Sequence, residues 1–210
     1  ESWRYHSDKV RYDLNNHGYR CPEFSDIDWN NSIVVFGCSL AMGMAVDQSE
    51  IFTTLMQESL GVPVINLGVC STSIIFSLIN QTRLAEQTFL PKAVINIWTY
   101  PNRILQACQD NKFIHHGPWT SYYEKWDQTF YEVNSKDDHA MFMTKEHIRM
   151  ADVLWKDTIH LQGTFSGLIK NLGIHHYEIT DYGRDLAHPG HITHQTIAEH
   201  LASLLQAQGL

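Results

Sequence analysis

Two short stretches carry side chains that could together make an activated nucleophile. The first is Phe36-Gly37-Cys38-Ser39-Leu40-Ala41-Met42-Gly43, and the second is Asp185-Leu186-Ala187-His188-Pro189. A serine hydroxyl is a poor nucleophile until a base within hydrogen-bond reach takes its proton. His188 is a candidate for that base. Residues three apart in one turn face the same way. Asp185 can therefore accept the Nδ1–H of His188 and leave Nε2 free for the serine. Read alone, the first stretch fits a nucleophile and a serine satisfying a tight turn equally well. Read alone, Asp-x-x-His also fits a helix-capping aspartate beside a surface histidine, because thirteen histidines make chance pairs common. Asp-x-x-His-Pro directly before an amphipathic helix is the more specific pattern. Cys38 is a second candidate nucleophile, but its offset from the strand favours Ser39.

The elements around these residues read as alternating strand and helix. Ile33-Val34-Val35-Phe36 is short, β-branched and continuously apolar, as expected of a parallel strand covered on both faces. Asp47-Gln48-Ser49-Glu50 fits a capping box, and Ile51, Phe52, Leu55, Met56 and Leu60 follow at helical spacing before Gly61. Val64-Ile65-Asn66-Leu67 reads as a second strand leaving through Gly68. Ile75, Leu78, Ile79, Thr82, Ala85 and Phe89 fall on one face of a second helix, and residues 93–98 form a third strand. A long helical pattern over 141–172, broken near Gly163 or Gly167, leads to Gly173 and a fourth strand over 174–179. Ile197, Ala198, Leu201, Leu204 and Leu205 line a final helix.

The fold class expected from this order is α/β: a three-layer α/β/α sandwich, flavodoxin-like, with a mostly parallel sheet. One domain is expected over 1–210, with an irregular arm over 1–32 that includes a short edge strand, and an insertion over the sheet at 104–140. Such sheets bind ligands beyond the carboxyl ends of their strands. The site should therefore be built from residues 37–39, 68–71, 99–103 and 185–188.

The totals exclude several classes. The formal net charge of −8 disfavours nucleic acid and anionic membrane surfaces. The longest apolar stretch, residues 33–46, is interrupted by glycine and serine and is too short to span a bilayer. Cys21, Cys38, Cys70 and Cys108 form no Cys-x-x-Cys pair, so a zinc knuckle is not expected. They read as small thiols in a reducing compartment, with a disulfide the weaker alternative, and the cytoplasm is slightly favoured. The chain starts at Glu1, which is compatible with a removed leader. His115-His116, His175-His176 and the set His191, His194 and His200 lack the carboxylate or thiolate company of a metal site. No metal and no cofactor is expected. The aromatics Trp119, Tyr122, Tyr123, Trp126, Phe130 and Tyr131 suit a lid or a platform for an acyl chain or sugar ring; singly, each fits a satellite hydrophobic cluster equally well.

Taken together, the blocks resemble the SGNH hydrolases, the GDSL-type esterases and lipases. Gly37-Cys38-Ser39-Leu40 stands for the first block, Asn66-Leu67-Gly68 for the second, and Asp185 with His188 for the last. His194 and the Ile197-Ala198 pair fall where relatives carry a Gly-His and an Ile-Ala step. The arm residues Asn16-His17-Gly18-Tyr19-Arg20, with Glu23-Phe24, resemble a segment that precedes the domain in some relatives. The resemblance implies Ser39 as nucleophile, His188 as base, Asp185 as its orienting acid, and an oxyanion hole from the N–H groups of Ser39 and Gly68. Two blocks depart from the pattern. Cys38 replaces the usual acid, and Trp98-Thr99-Tyr100-Pro101-Asn102-Arg103 replaces Gly-x-Asn-Asp. Asn102, about two positions late, is the candidate side-chain donor, with Thr99 or Arg103 as stand-ins; Thr99, Arg103 and Trp119 are the expected substrate contacts. The function implied is hydrolysis of a short-acyl carboxylic ester, with acetyl on a carbohydrate preferred, on a small-molecule or glycan substrate. A non-catalytic binding module on the same fold is the alternative motivated by the third block. An acyltransferase would use the same three residues, and the sequence leaves oligomeric state open.

Overall fold

The computed structural model describes residues 9–108, 112–122 and 125–210. In chain order the regular elements are β1 (Ile33–Gly37), α1 (Ser39–Met42), α2 (Phe52–Leu60), β2 (Val64–Gly68) and α3 (Ile74–Ala85). Then come β3 (Ala93–Trp98), β4 (Ile104–Ala107), β5 (Phe113–His116), α4 (Lys125–Asn134) and α5 (Asp137–Leu154). The chain closes with β6 (Ile159–Thr164), β7 (His175–His176) and α6 (His191–Ala207). The central sheet has the order β2-β1-β3-β6-β7, and all its pairs are parallel.

Side chains alternate across each strand, so neighbouring residues serve opposite layers. Ile33, Val35, Ala93, Ile95 and Ile97 pack against Phe52 and Met56 of α2 and against Ile197, Leu201 and Leu205 of α6. Val34, Phe36, Ile65, Leu67 and Val94 face the other way, under Leu84 of α3 and Trp155. Helices thus cover both faces, which is why β1, β2 and β3 are buried along their full length. The arm closes part of the second face with Tyr19, Phe24 and Trp29. Its described residues form turns and two short 3₁₀ segments rather than the expected edge strand.

Four expectations are corrected. The helix expected over 141–172 ends at Leu154, and the fourth parallel strand is β6, residues 159–164. Its polar positions hid it. His160 lies 2.7 Å from Asn96 Nδ2, and Gln162 accepts from Trp98 Nε1 at 2.7 Å. A strand whose inward polar groups are paired loses its apolar alternation without losing its burial. The strand expected over 174–179 shrinks to His175–His176 at the sheet edge. The region 104–140 is not irregular: β4 and β5 form an antiparallel hairpin, followed by α4 and the start of α5. In α3 the buried face is turned relative to expectation, with Ile74, Ser77, Leu78, Gln81 and Leu84 inward and Thr82 exposed. Gln81 belongs there because its Oε1 accepts from Trp155 Nε1 at 2.9 Å and from Asn96 Nδ2 at 3.2 Å. Among the described residues, no helix is long and apolar enough to cross a membrane.

Candidate active site

The turn after β1 answers to two glycines. Gly37 and Gly68 are register partners on adjacent strands. A Cβ on Gly37 would sit 2.6 Å from Ala41 Cβ and 2.7 Å from Ile97 O; one on Gly68 would sit 2.6 Å from Met42 N. Only a bare Cα at both positions lets α1 lie across the strand ends. That placement puts Ser39 at the first turn of α1, at the carboxyl edge of β1, where the opening N–H groups of a helix have no intrahelical acceptor. Cys38 points into the core at 1 % exposure, packed with the β1 and α2 side chains.

From the far end of the chain, His188 meets the serine. Ser39 Oγ lies 3.0 Å from His188 Nε2, and His188 Nδ1 lies 2.6 Å from Asp185 Oδ2. With Nδ1 donating to the carboxylate, Nε2 is the acceptor for the serine proton. The other carboxylate oxygen, Oδ1, accepts from the N–H groups of Ala187 and His188, each at 3.0 Å. Burial works against the Asp185 carboxylate, yet those N–H groups and the imidazole outweigh it and hold the carboxyl below its usual range.

The loop carrying this pair is tied down at several points. Asp181 accepts from the N–H groups of Ile192 (3.1 Å) and Thr193 (2.8 Å), fixing the start of α6. Gly183 N–H donates to His188 O at 2.8 Å and Gly190 N–H to Asp181 O at 2.9 Å, so the loop is closed on itself. Arg184 reaches back to Asp47 at 2.7 Å and Glu50 at 3.0 Å, binding this loop to the segment that follows the nucleophile. Arg20 of the arm, 1 % exposed, holds the same segment through Gly43 O (2.6 Å), Val46 O (3.0 Å) and Gln48 Oε1 (2.9 Å). Among the described residues, the non-glycine residues with left-handed backbone are Ala45, Ser71 and Leu186, all on loops around this edge. Such strain persists only where the surroundings over-determine it, and it gathers at functional sites. Sequence reasoning missed Arg184, Asp181 and the role of Arg20. Arg20 stands in the arm segment that resembles relatives, so a signal exists; Arg184 gives none beyond standing next to Asp185.

The other expected site residues are placed less directly. The Gly68 N–H is already taken: it donates to Asn66 Oδ1 at 2.9 Å. Asn66 is held in turn by Ala41 O at 2.9 Å, so the second block braces α1. Thr99 Oγ1 and Asn102 Oδ1 are enclosed without hydrogen-bond partners among the described residues. Arg103 lies over the Tyr100 and Trp119 rings, at 5.7 and 5.3 Å from their centroids. His194 is fully buried, stacked on Phe52 with ring centroids 5.8 Å apart, and its Nδ1 accepts from Phe52 N–H at 3.3 Å. Of the insertion aromatics, Phe130 packs on His116 and Trp126 on Phe130, while Tyr123 and the Tyr122 side chain lie outside the described residues. Among the described residues, no group of three potential ligand side chains could hold a metal.

No protein-family model and no curated protein sequence matches the chain. Solved structures do. A protein described as lipolytic, of the G-D-S-L family, from Desulfitobacterium hafniense DCB-2 aligns over 83 % of this chain and 99 % of its own, with a TM-score of 0.52 and 13 % identity. TesA aligns over 84 % and 98 %, with a TM-score of 0.51 and 11 % identity. A carbohydrate esterase family 2 enzyme with a carbohydrate-binding domain, from Corynascus thermopiles (Myceliophthora fergusii), aligns over 84 % of this chain and 66 % of its own, at 0.50 and 14 %. With a parallel five-stranded sheet covered on both faces and these structural neighbours, the chain has the fold of the SGNH, or GDSL-type, hydrolases.

Proposed function

We propose that the chain is a serine esterase that cleaves a short-acyl carboxylic ester through an acyl-enzyme. The observation that carries this reading is the unbroken run from Ser39 Oγ to His188 Nε2 at 3.0 Å and from His188 Nδ1 to Asp185 at 2.6 Å. His188 takes the serine proton as Oγ attacks the ester carbonyl. The imidazolium that forms is stabilised by Asp185, and it returns the proton to the leaving alcohol. Water then enters by the same route and releases the acid. The Ser39 N–H at the head of α1 is the first oxyanion donor. Gly68 can join only by giving up Asn66 Oδ1, and the Asn102 amide is the side-chain candidate. Losing one such donor costs about 10²–10³ in rate, so this is a slow esterase if Ser39 N–H acts alone.

An acetyl ester on a carbohydrate is the preferred substrate, and the fold neighbour that is a carbohydrate esterase supports that choice. The committed Gly68 N–H favours a second reading, a cleft that binds without turning over. Intact mass after incubation with a small fluorophosphonate decides between them. A single adduct on the parent protein, absent in Ser39→Ala, is the result expected of the esterase. A well-folded parent with no adduct would transfer the weight to the binding module.

A further inference from the structure

Arg103 is held unlike the other enclosed arginines. Arg20 spends its guanidinium on backbone carbonyls and Gln48, and Arg184 on Asp47 and Glu50. Nε and Nη1 of Arg103 are shut from solvent and have no acceptor among the described residues. Two aromatic faces flank the group. They attract the cation but supply no acceptor to its N–H groups. Guanidinium N–H groups enclosed without an acceptor among the described residues are costly, and an arriving anion relieves that cost.

Arg103 also lines a cavity of about 290 Å³. Its apolar wall includes Ile74, Ile75, Leu105 and Met143, and Asn134 and Thr144 add polar edges. No carboxylate among the described residues lines it, although the chain as a whole carries a net charge of −8. Burial pushes the imidazole of His147, also in the wall, below its ordinary range. The cavity belongs to the same edge as the nucleophile. Pro101 and Arg103 follow β3 directly, and Ile74 and Ile75 begin the helix after the β2 exit loop. Cys70, on the loop after β2, has its Sγ 3.0 Å from Met42 Sδ in the helix that Ser39 opens. Trp119 is itself fixed. Its ring covers the bare Cα of Gly117, and its Nε1–H donates to His115 O at 3.4 Å.

We propose that this cavity is a substrate subsite for a single negative charge, and that Arg103 makes the enzyme prefer an acylated acidic sugar over its neutral counterpart. The proposal rests on the esterase reading for its chemistry and on the cavity for its selectivity. A volume near the lower end of small-ligand pockets suits one ring rather than a long chain. One guanidinium balances one charge, which favours a carboxylate or sulfate monoanion over a phosphate dianion. Hydrolysis is unchanged in balance: water adds, and the acid and the free sugar leave.

The test compares mono-O-acetylated glucose, glucuronate and glucose 6-sulfate, matched except at carbon 6. The kcat/KM for the glucuronate ester should exceed that for the glucose ester by on the order of tenfold to a hundredfold, the range of a charge-assisted hydrogen bond. In Arg103→Gln the ratio should fall toward one, and Arg103→Lys should restore part of it. Preference for the sulfate over the carboxylate would keep the anion subsite and change its ligand. Equal kcat/KM for all three esters would overturn the proposal. Binding of free glucuronate and glucose to Ser39→Ala by calorimetry needs no turnover. If no ester is cleaved and no fluorophosphonate adduct forms, the esterase reading fails while this measurement still judges the subsite. Glucuronate binding no tighter than glucose would overturn the subsite on its own.

Discussion

The substitution Asp185→Asn tests the proton relay at its far end. The amide keeps one oxygen for the Ala187 and His188 N–H groups, now at 3.0 Å from the carboxylate, so the loop has no reason to open. What changes is the group 2.6 Å from His188 Nδ1. An amide nitrogen there donates, so Nδ1 must become the acceptor and Nε2 carries the hydrogen. That tautomer points a proton at Ser39 Oγ and cannot take one. The same exchange in a serine triad costs about 10⁴ in kcat. Here the Asp185 side chain is 35 % exposed, so water can stand in for part of its effect. The expected loss is therefore about 10²–10⁴, or roughly 3–5 kcal/mol of transition-state stabilisation. Hydrolysis of p-nitrophenyl acetate gives kcat/KM, and the rate of fluorophosphonate labelling gives an independent view of serine activation. Both should fall together while the urea midpoint stays near that of the parent. Activity within threefold of the parent, with the fold intact, would refute the relay as described.

The packing sets two further outcomes. Burial pushes His194 down to about 4, with Asp181 and Glu50 pulling up and Arg20 pulling down. Its folded-state value lies below the ordinary 6.5, so the unfolded chain binds the extra proton first, and stability is lost as pH falls from about 6.5 to about 4. The loss should approach about 3 kcal/mol, read as a falling urea midpoint, and His194→Phe should flatten it above pH 4.5. An equally steep curve in the variant would locate the proton elsewhere. Gly37→Ala forces a methyl against Ala41 Cβ and Ile97 O, and should cost about 1–3 kcal/mol as overpacking does, together with most of the esterase activity. An unchanged thermal midpoint would mean that α1 shifts freely.

Ser39, Asp185 and His188 stand out in the sequence because each carries a local signal, although the contact that joins Ser39 to His188 spans the chain. Asp185 and His188 share one turn, and Ser39 is announced by an apolar strand that ends in glycine. The rest depends on pairings that join distant parts of the chain. β6 reads as helix because His160 and Gln162 break its alternation, and their partners, Asn96 and Trp98, stand more than sixty residues earlier. β4 and β5 are four residues each and half-exposed, too short to impose a period. The Asn66-Leu67-Gly68 turn is visible, but nothing in its letters says that the Asn66 side-chain oxygen claims the Gly68 N–H. Arg103 is singled out by the altered third block, but the enclosure of its Nε and Nη1 without an acceptor among the described residues is a property of the packed loop.

Arg20 gives the arm a meaning that a map of strands and helices conceals. The segment behind Ser39 is gripped from both ends of the chain, by Arg20 from before the first strand and by Arg184 from just before Asp185. A boundary drawn at Ile33, where regular structure starts, would keep every strand of the sheet and lose one of the two grips. The unit that holds Ser39 in place is therefore longer than the sheet-and-helix core. Relatives that differ in this arm should differ in how firmly the serine is presented, even where their triads are letter for letter the same.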